Sequence, residues 1–250
     1  LNDYYAAVVK LVRHEQETGL DLLASPKGNF WKRRQEEGRG LSYLLAEHQW
    51  MVEHNPRNTV RHGEIVLDCG AHIGVFTSKA LELGAAKVVA VEPDPSNLES
   101  LRRNFSREIA AGRVVLAPVA VWSSEGKLSL HLGTHGNTGV NSVVADQGGT
   151  SVEVPATTID RLVDRLRLPR VDFIKMDIEG AEREALRGAA ATLKKYRPRL
   201  MLDMYHRPDD PVVLPAIIRQ AWPDYKMDCG PCEAQMGEQT RLVPHVSFFH

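Results

Sequence analysis

The sequence predicts a doubly wound α/β fold, a mostly parallel sheet with helices on both faces and an antiparallel hairpin at its C-terminal end. Three observations carry this. Ile65-Val-Leu67 is an apolar run ending on Asp68, followed by Gly70, Gly74 and a helix-like stretch, Val75–Leu83. Lys87-Val-Val-Ala-Val-Glu92 is a second buried-type strand that also ends on an acid. Strand-like and helix-like segments then alternate to Tyr205 with one interruption, the pattern of linked βα units.

Residues 1–60 precede the sheet. Tyr5–Val12 and Leu41–Leu45, with Trp50 and Met51, show helical apolar spacing, and Pro26, Gly28, Gly38 and Gly40 mark loops between them. This segment reads as a helical cap over the open end of the sheet, on a domain spanning residues 61–250. Lys32-Arg-Arg34, beside Glu36 and Glu37, reads as a solvated face, and Trp31 and Trp50 as packing residues.

The turn after the first strand is D-x-G-x-x-x-G. A dinucleotide fingerprint sets its glycines closer together, so that a pyrophosphate can sit on the helix N-terminus. An acid at the strand end repels a pyrophosphate and suits a cation or an amino group. An amino acid–nucleoside conjugate such as S-adenosylmethionine meets that requirement. Glu92 follows Gly74 by 18 positions, where doubly wound sheets place an acid on ribose hydroxyls.

Ser96 to about Ile109 reads as one helix capped by Asp94 or Ser96. Arg113–Trp122 reads as the third strand with its exit, offering Pro118–Val121 to a base. Gly126–Leu132 and Thr150–Pro155 read as hairpin strands. The polar loop between them offers His135, Asn137, Asn141 and Ser142 as candidate ligand contacts. Ile159–Leu168 reads as a helix capped by Thr157 or Thr158, Val171–Asp177 as the fourth strand, and the helix after it as running to Tyr196. Arg199–Tyr205 is the fifth strand, Val212–Trp222 a helix, and Tyr225–Asp228 with His245–Phe249 the closing antiparallel pair.

Composition narrows the function classes. A chain of 250 residues, 43% hydrophobic and 25% charged, can build one sizeable core. A net charge of −1 gives no sign of a polyanion partner, so nucleic acid is not expected. No apolar run approaches the roughly 18 residues of a membrane span, and Leu1–Tyr5 does not resemble a signal peptide. Three cysteines, Cys69, Cys229 and Cys232, are too few for a disulfide framework and fit a reducing cytoplasm. Cys229-Gly-Pro-Cys232 reads as a turn between strands, and two cysteines cannot close a zinc site.

Lys175-Met-Asp-Ile-Glu-Gly-Ala-Glu182 makes the reading specific. With Asp68-Cys-Gly-Ala-His-Ile-Gly74, Val91-Glu-Pro-Asp94 and Val154-Pro-Ala-Thr-Thr-Ile-Asp160, it resembles the FkbM family of S-adenosylmethionine-dependent methyltransferases. The resemblance runs from about residue 64 to about residue 206. It implies a seven-stranded Rossmann-like methyltransferase sheet and methyl transfer to an oxygen of a small molecule or sugar. It implies cofactor contacts from Asp68, Gly70, His72, Gly74 and Glu92, and places Asp177 and Glu179 facing the methyl donor. Pro93 and Ala120, beside Glu92 and at the third strand's exit, complete the cofactor set. His72 stands where family members often carry Asn.

On this reading Asp177 or His206 acts as base on an acceptor hydroxyl, and Glu179 orients acceptor or cofactor. The partner is a small-molecule acceptor. No metal ligand is assigned; Mg²⁺ between Asp177 and Asp203 is the alternative, which activity unchanged after exhaustive EDTA treatment would remove. A nicotinamide-dependent oxidoreductase, disfavoured by the missing G-x-G-x-x-G, and a noncatalytic cofactor-binding module are the other two function classes.

Overall fold

The structure is a computed structural model that describes residues 2–34, 40–134, 137–230, 232–235 and 241–250. Glu36, Glu37, Gly38 and His135, singled out above, lie outside the described residues.

The chain opens with α1 (Asn2–Val8), an antiparallel meander of β1 (Lys10–Glu15), β2 (Leu20–Ser25) and β3 (Gly28–Arg33), and α2 (Leu41–His54). This corrects the all-helical reading of the cap. The first helix stops at Val8, and the next three segments pair as strands. Gly28 opens β3 at φ +111°, a conformation suited to glycine. Phe30 and Lys32, two apart on one strand face, are both buried. Phe30 packs with Tyr5, Leu41 and Leu45 of the cap and with Ile73 and Val75 beyond it. Lys32, expected on a solvated face, is 6% exposed; Arg33 and Arg34 are the exposed members of that run.

The remaining elements are β4 (Ile65–Cys69), α3 (Val75–Glu82), β5 (Lys87–Val91), α4 (Pro95–Asn104), α5 (Ser106–Ala110), β6 (Val114–Ala117) and β7 (Ala120–Val121). Then come β8 (Gly126–Gly133), β9 (Gly148–Thr157), α6 (Ile159–Arg165), β10 (Phe173–Met176), α7 (Glu182–Arg187), α8 (Ala190–Tyr196), β11 (Arg199–Asp203) and α9 (Asp210–Ala221). The chain ends with β12 (Met227–Cys229), β13 (Cys232–Gln235), β14 (Arg241–Pro244) and β15 (Val246–Phe249).

Seven strands form the main sheet in the order β12-β15-β11-β10-β4-β5-β6. β6, β5, β4, β10 and β11 are parallel, β15 runs antiparallel to β11, and β12 antiparallel to β15. This is the predicted doubly wound sheet with its C-terminal antiparallel pair. β4 is buried along its whole length. The strand order reverses beside β4, and there the carboxyl ends of β5 and β10 part around a crevice.

Two predicted helices are broken. Phe105, buried with φ −121°, separates α4 from α5, and Asp94 rather than Ser96 caps α4. Gly188 separates α7 from α8; a Cβ there would stand 2.1 Å from the Trp122 carbonyl oxygen, so the helix bends where it meets that strand exit. The third strand's exit leaves the main sheet, because β7 joins β9 and β8 in a small sheet of its own. Cys229, at the end of β12, and Cys232, at the start of β13, form a disulfide with Cα atoms 6.2 Å apart, where a plain turn was expected, while Cys69 is free and buried. No helix among the described residues is long and apolar enough to cross a membrane.

The cap is fastened to the sheet. Trp31 N donates to Asn104 Oδ1 (2.6 Å), and Asn104 Nδ2 donates back to Trp31 O and on to Ile73 O (3.0 and 2.9 Å). Arg103 lies over the Trp31 ring and pairs with Glu15 at 2.6 Å.

Candidate functional site

The site begins with a close approach of two strand ends. Gly70 has φ +77°, and a Cβ on it would stand 1.9 Å from the Asp177 carbonyl oxygen. Only glycine lets the β4 turn lie against the end of β10. Its N–H, and that of Ala71, donate to the Val91 carbonyl (3.0 and 3.1 Å), which ties the turn to β5 as well.

Two predicted cofactor residues prove to be internal to this turn. Asp68 is 0% exposed; Thr77 Oγ1 donates to its Oδ2 at 2.6 Å, and Lys175 Nζ lies 3.8 Å from its Oδ1. Burial raises its pKa above the usual carboxylate range. Gly74, at φ +91°, packs against Phe105, where a Cβ would come within 2.2 Å of the ring. Asp68 and Gly74 shape the turn and are not among the residues that line the cavity.

That cavity has a volume of about 370 Å³ and sits at the carboxyl ends of β4, β5 and β10. Gly70, His72, Glu92, Pro93, Ala120, Asp177 and Glu179, all predicted site residues, line it. Glu92 Oε2 accepts the His72 N–H (2.8 Å) and Oε1 accepts that of Asp94 (2.9 Å). Burial outweighs these bonds and pushes the Glu92 carboxyl up to about 8. His72 takes a left-handed conformation at φ +51°, and its Nε2 lies 2.9 Å from Thr138 Oγ1. Burial lowers its pKa to about 3, so the imidazole is neutral.

The polar loop closes one side. Asn141 Nδ2 donates to Asp94 Oδ2 at 2.5 Å while its Oδ1 accepts the Gly133 N–H at 2.8 Å. Asn137 and Asn141 line the cavity as expected. Ser142 does not; its Oγ donates to the Glu179 carbonyl at 2.7 Å and holds that residue at φ +53°.

The opposite side is charged. Lys175 is buried, donates to the Gly70 carbonyl at 3.0 Å, and lies 3.8 Å from both Asp68 and Asp177. Burial works against its charge, but Asp177, Asp68 and Asp203 hold its pKa above the ordinary lysine value. Burial likewise works against ionised Asp177, yet Lys175 and His206 hold its pKa low. Burial and the neighbouring Asp177 push Asp203 well up.

The His206 side chain is 6% exposed. Its Nε2 lies 3.6 Å from Asp177 Oδ1 and 3.5 Å from Glu179 Oε2, and its Nδ1 3.1 Å from Glu182 Oε1. Burial opposes the charge, but these carboxylates raise the His206 pKa to about 11. The ring is therefore cationic near neutrality in this state. In that protonated form Nε2 has no lone pair to offer, so service as a base would require that proton to leave first.

Several lining residues escaped the sequence reading. Leu44, Glu47 and His48 reach the cavity from α2, and Tyr205 from the end of β11. Burial, then Lys175, depress His48 to about 3, so it too is neutral. The (i, i+4) spacing of Leu44 and His48 was visible as a shared helix face, but nothing local said what the face covers. Lys175 stood inside the quoted motif; its through-space position beside Asp68 was the part not written in the sequence. Trp31 and Trp50 do not line the cavity; Trp50 stacks on His54.

The chain is similar to known proteins over this same region. The family described as "Methyltransferase FkbM domain" matches residues 68–226. The hexuronic acid methyltransferase AglP of Haloferax volcanii is 28% identical over 131 residues, 52% of this chain and 52% of that protein. The methyltransferase sdnD of Sordaria araneosa is 28% identical over 176 residues, 58% of this chain and 66% of that protein. The crystal structure of methyltransferase FkbM from Methylobacillus flagellatus KT superposes with a TM-score of 0.55 at 21% identity, covering 84% of this chain and 53% of that one, and shares its fold. The chain thus spans about half the length of AglP and of the Methylobacillus protein.

Proposed function

The chain belongs to the methyltransferase FkbM family, and on that premise we propose that it transfers the methyl group of S-adenosylmethionine to a hydroxyl of a small, sugar-like acceptor. The observation that carries this reading is one cavity lined by Gly70 together with the carboxylates of Glu92, beyond β5, and Asp177, beyond β10. Its volume, about 370 Å³, lies within the usual range of small-molecule pockets, ~300–1,000 Å³. Gly70 keeps the turn against the end of β10, where a Cβ would meet the Asp177 carbonyl, and so leaves its backbone lining the cavity for a cofactor to approach.

On this reading Glu92 takes the ribose hydroxyls, and Pro93 and Ala120 flank the base. Asp177 and Glu179 receive the acceptor hydroxyl, and His206 holds both carboxylates in place. Leu44, Glu47 and His48 of α2 give residues 1–60 the role of an acceptor-side cap. When bound, the cofactor supplies an already activated sulfonium methyl. The protein's part is to set the acceptor oxygen in line with it, which is worth roughly 7–11 kcal/mol in favourable cases. The acceptor's proton passes to a carboxylate as the carbon–oxygen bond forms, and the carbon–sulfur electron pair returns to sulfur. The name of AglP supports a hexuronic acid among the first acceptors to assay.

Calorimetric titration with S-adenosylhomocysteine, with NAD as control, tests the cofactor assignment. The expected result is micromolar binding of the first and none of the second. Binding of NAD alone would restore the oxidoreductase reading, and binding of neither would mean that these residues do not form a nucleoside site.

A further inference from the structure

We infer that Asp177, Glu179 and His206 form a site for one divalent transition-metal cation, of the Mn²⁺ class, at the acceptor end of the cavity. The binding claim stands on these three side chains alone; what the ion does there rests on the methyl-transfer reading above.

One ligand atom from each residue lies within 4.8 Å of the others. The two separations from His206 Nε2, 3.5 and 3.6 Å, are long for hydrogen bonds. They lie just outside the edge of a coordination polyhedron, where bonds of about 2.1 Å put neighbouring ligand atoms about 3.0 Å apart at octahedral angles and about 3.4 Å apart at tetrahedral ones. His206 Nε2 and Asp177 Oδ1 are buried with no hydrogen-bond partner, although the His206 side chain is more than nine-tenths buried.

The far side of the ring is built as metal-bound histidines are. Nδ1 faces Glu182 Oε1 at 3.1 Å, and that oxygen also accepts the Ile178 N–H at 2.9 Å. A carboxylate behind the ring fixes its orientation, and an ion at Nε2 would take the place of the proton there, which binding releases. Ser142 fixes the backbone of Glu179 in the same way.

The donor set decides the class of ion. One imidazole nitrogen with two carboxylates suits Mn²⁺, Fe²⁺ or Zn²⁺, whereas Mg²⁺ prefers oxygen alone. The site therefore differs from a pairing of Asp177 with Asp203, which is not a member of the cluster. Asp177 and Glu179 also line the cavity, so the ion's remaining positions face it and can take the acceptor's oxygen.

The test is Mn²⁺ titration of EDTA-dialysed protein, followed by electron paramagnetic resonance, with and without S-adenosylhomocysteine. The expected result is one Mn²⁺ per chain, weakened about tenfold or more in both Glu179→Gln and His206→Asn and retained in Asp203→Asn. Glu179 sits at the cavity edge, so its variant answers the question if His206→Asn fails to fold. Protein that binds S-adenosylhomocysteine but takes up no Mn²⁺ at millimolar concentration would overturn the metal site and leave the cofactor reading intact. Mn²⁺ uptake that survives both ligand substitutions would also overturn it. Uptake lost in those variants, in protein that binds no S-adenosylhomocysteine, would support the ion and sink the methyl-transfer reading instead.

Discussion

On the β4–β5 side of the cavity, Glu92 accepts two backbone N–H groups and His72 meets Thr138. On the β10–β11 side, Asp177 Oδ1, His206 Nε2 and, facing them from α2, His48 Nδ1 are buried with no hydrogen-bond partner. A buried polar group left so costs roughly 1–3 kcal/mol. The first side is finished by its own backbone and suits a ligand part that never changes. The second holds its charged groups at ion-pair separations of 3.5–3.8 Å, and a ligand there can add the short contacts those separations lack. This division is what a nucleoside end and an acceptor end would require.

Gly70→Ala attacks the seam between the two sides and carries the largest expected effect. The new Cβ meets the Asp177 carbonyl, which is backbone and cannot swing aside, at a positive φ. A loss of about 3 kcal/mol or more is expected, seen as a fall in Tm of about 6–12 °C, with S-adenosylhomocysteine binding abolished. Unchanged binding would show that the turn is not the nucleoside cradle.

Asp177→Asn separates the sides by function. Turnover on an active acceptor should fall about 10²–10⁴-fold, while the Kd for S-adenosylhomocysteine moves little. Asn141→Ala probes the loop that joins Asp94 to Gly133. Losing a hydrogen bond to a carboxylate should cost about 2 kcal/mol in urea denaturation.

The smallest effect is a pH dependence set by Glu92. Its folded pKa, about 8, lies above the ordinary 4.5. Its contribution to stability is full below 4.5 and is lost as pH rises through 8, because the ionised form is the one burial disfavours. Ribose hydroxyls donate to that ionised form. S-adenosylhomocysteine should therefore bind more tightly as pH rises, about fivefold between pH 7 and 8. Glu92→Gln should flatten the profile, and an unflattened one would place the ribose elsewhere.

The same two sides differ in how far the sequence revealed them. The turn at Gly70, the acid at Glu92 and the strand end at Asp177 were legible because each is a local pattern carrying its own chemistry. Asp68 shows the limit of that logic. Its place at a strand end was read correctly, but its burial under Thr77 and Lys175 depends on residues 9 and 107 positions away. The meander was misread for a related reason. Tyr5–Val12 is apolar at spacings that suit either period, and what settles it as helix then strand is pairing of Lys10–Glu15 with Leu20–Ala24. His48 could be placed on a helix face but not at the cavity, since only the packed position of α2 brings it there. His206 was visible as a residue, but its charge state is set by Glu179, Glu182 and Asp177 together, which the sequence does not place around it.

Parallel calorimetric titration of S-adenosylhomocysteine into Glu92→Ala and Asp177→Asn, one substitution on each side of the cavity, tests the central claim most directly. The account predicts that Glu92→Ala loses most of the affinity and Asp177→Asn keeps it to within about threefold, a difference of under 1 kcal/mol. Equal losses in both variants, or retention in Glu92→Ala alone, would contradict the division into a nucleoside side and an acceptor side.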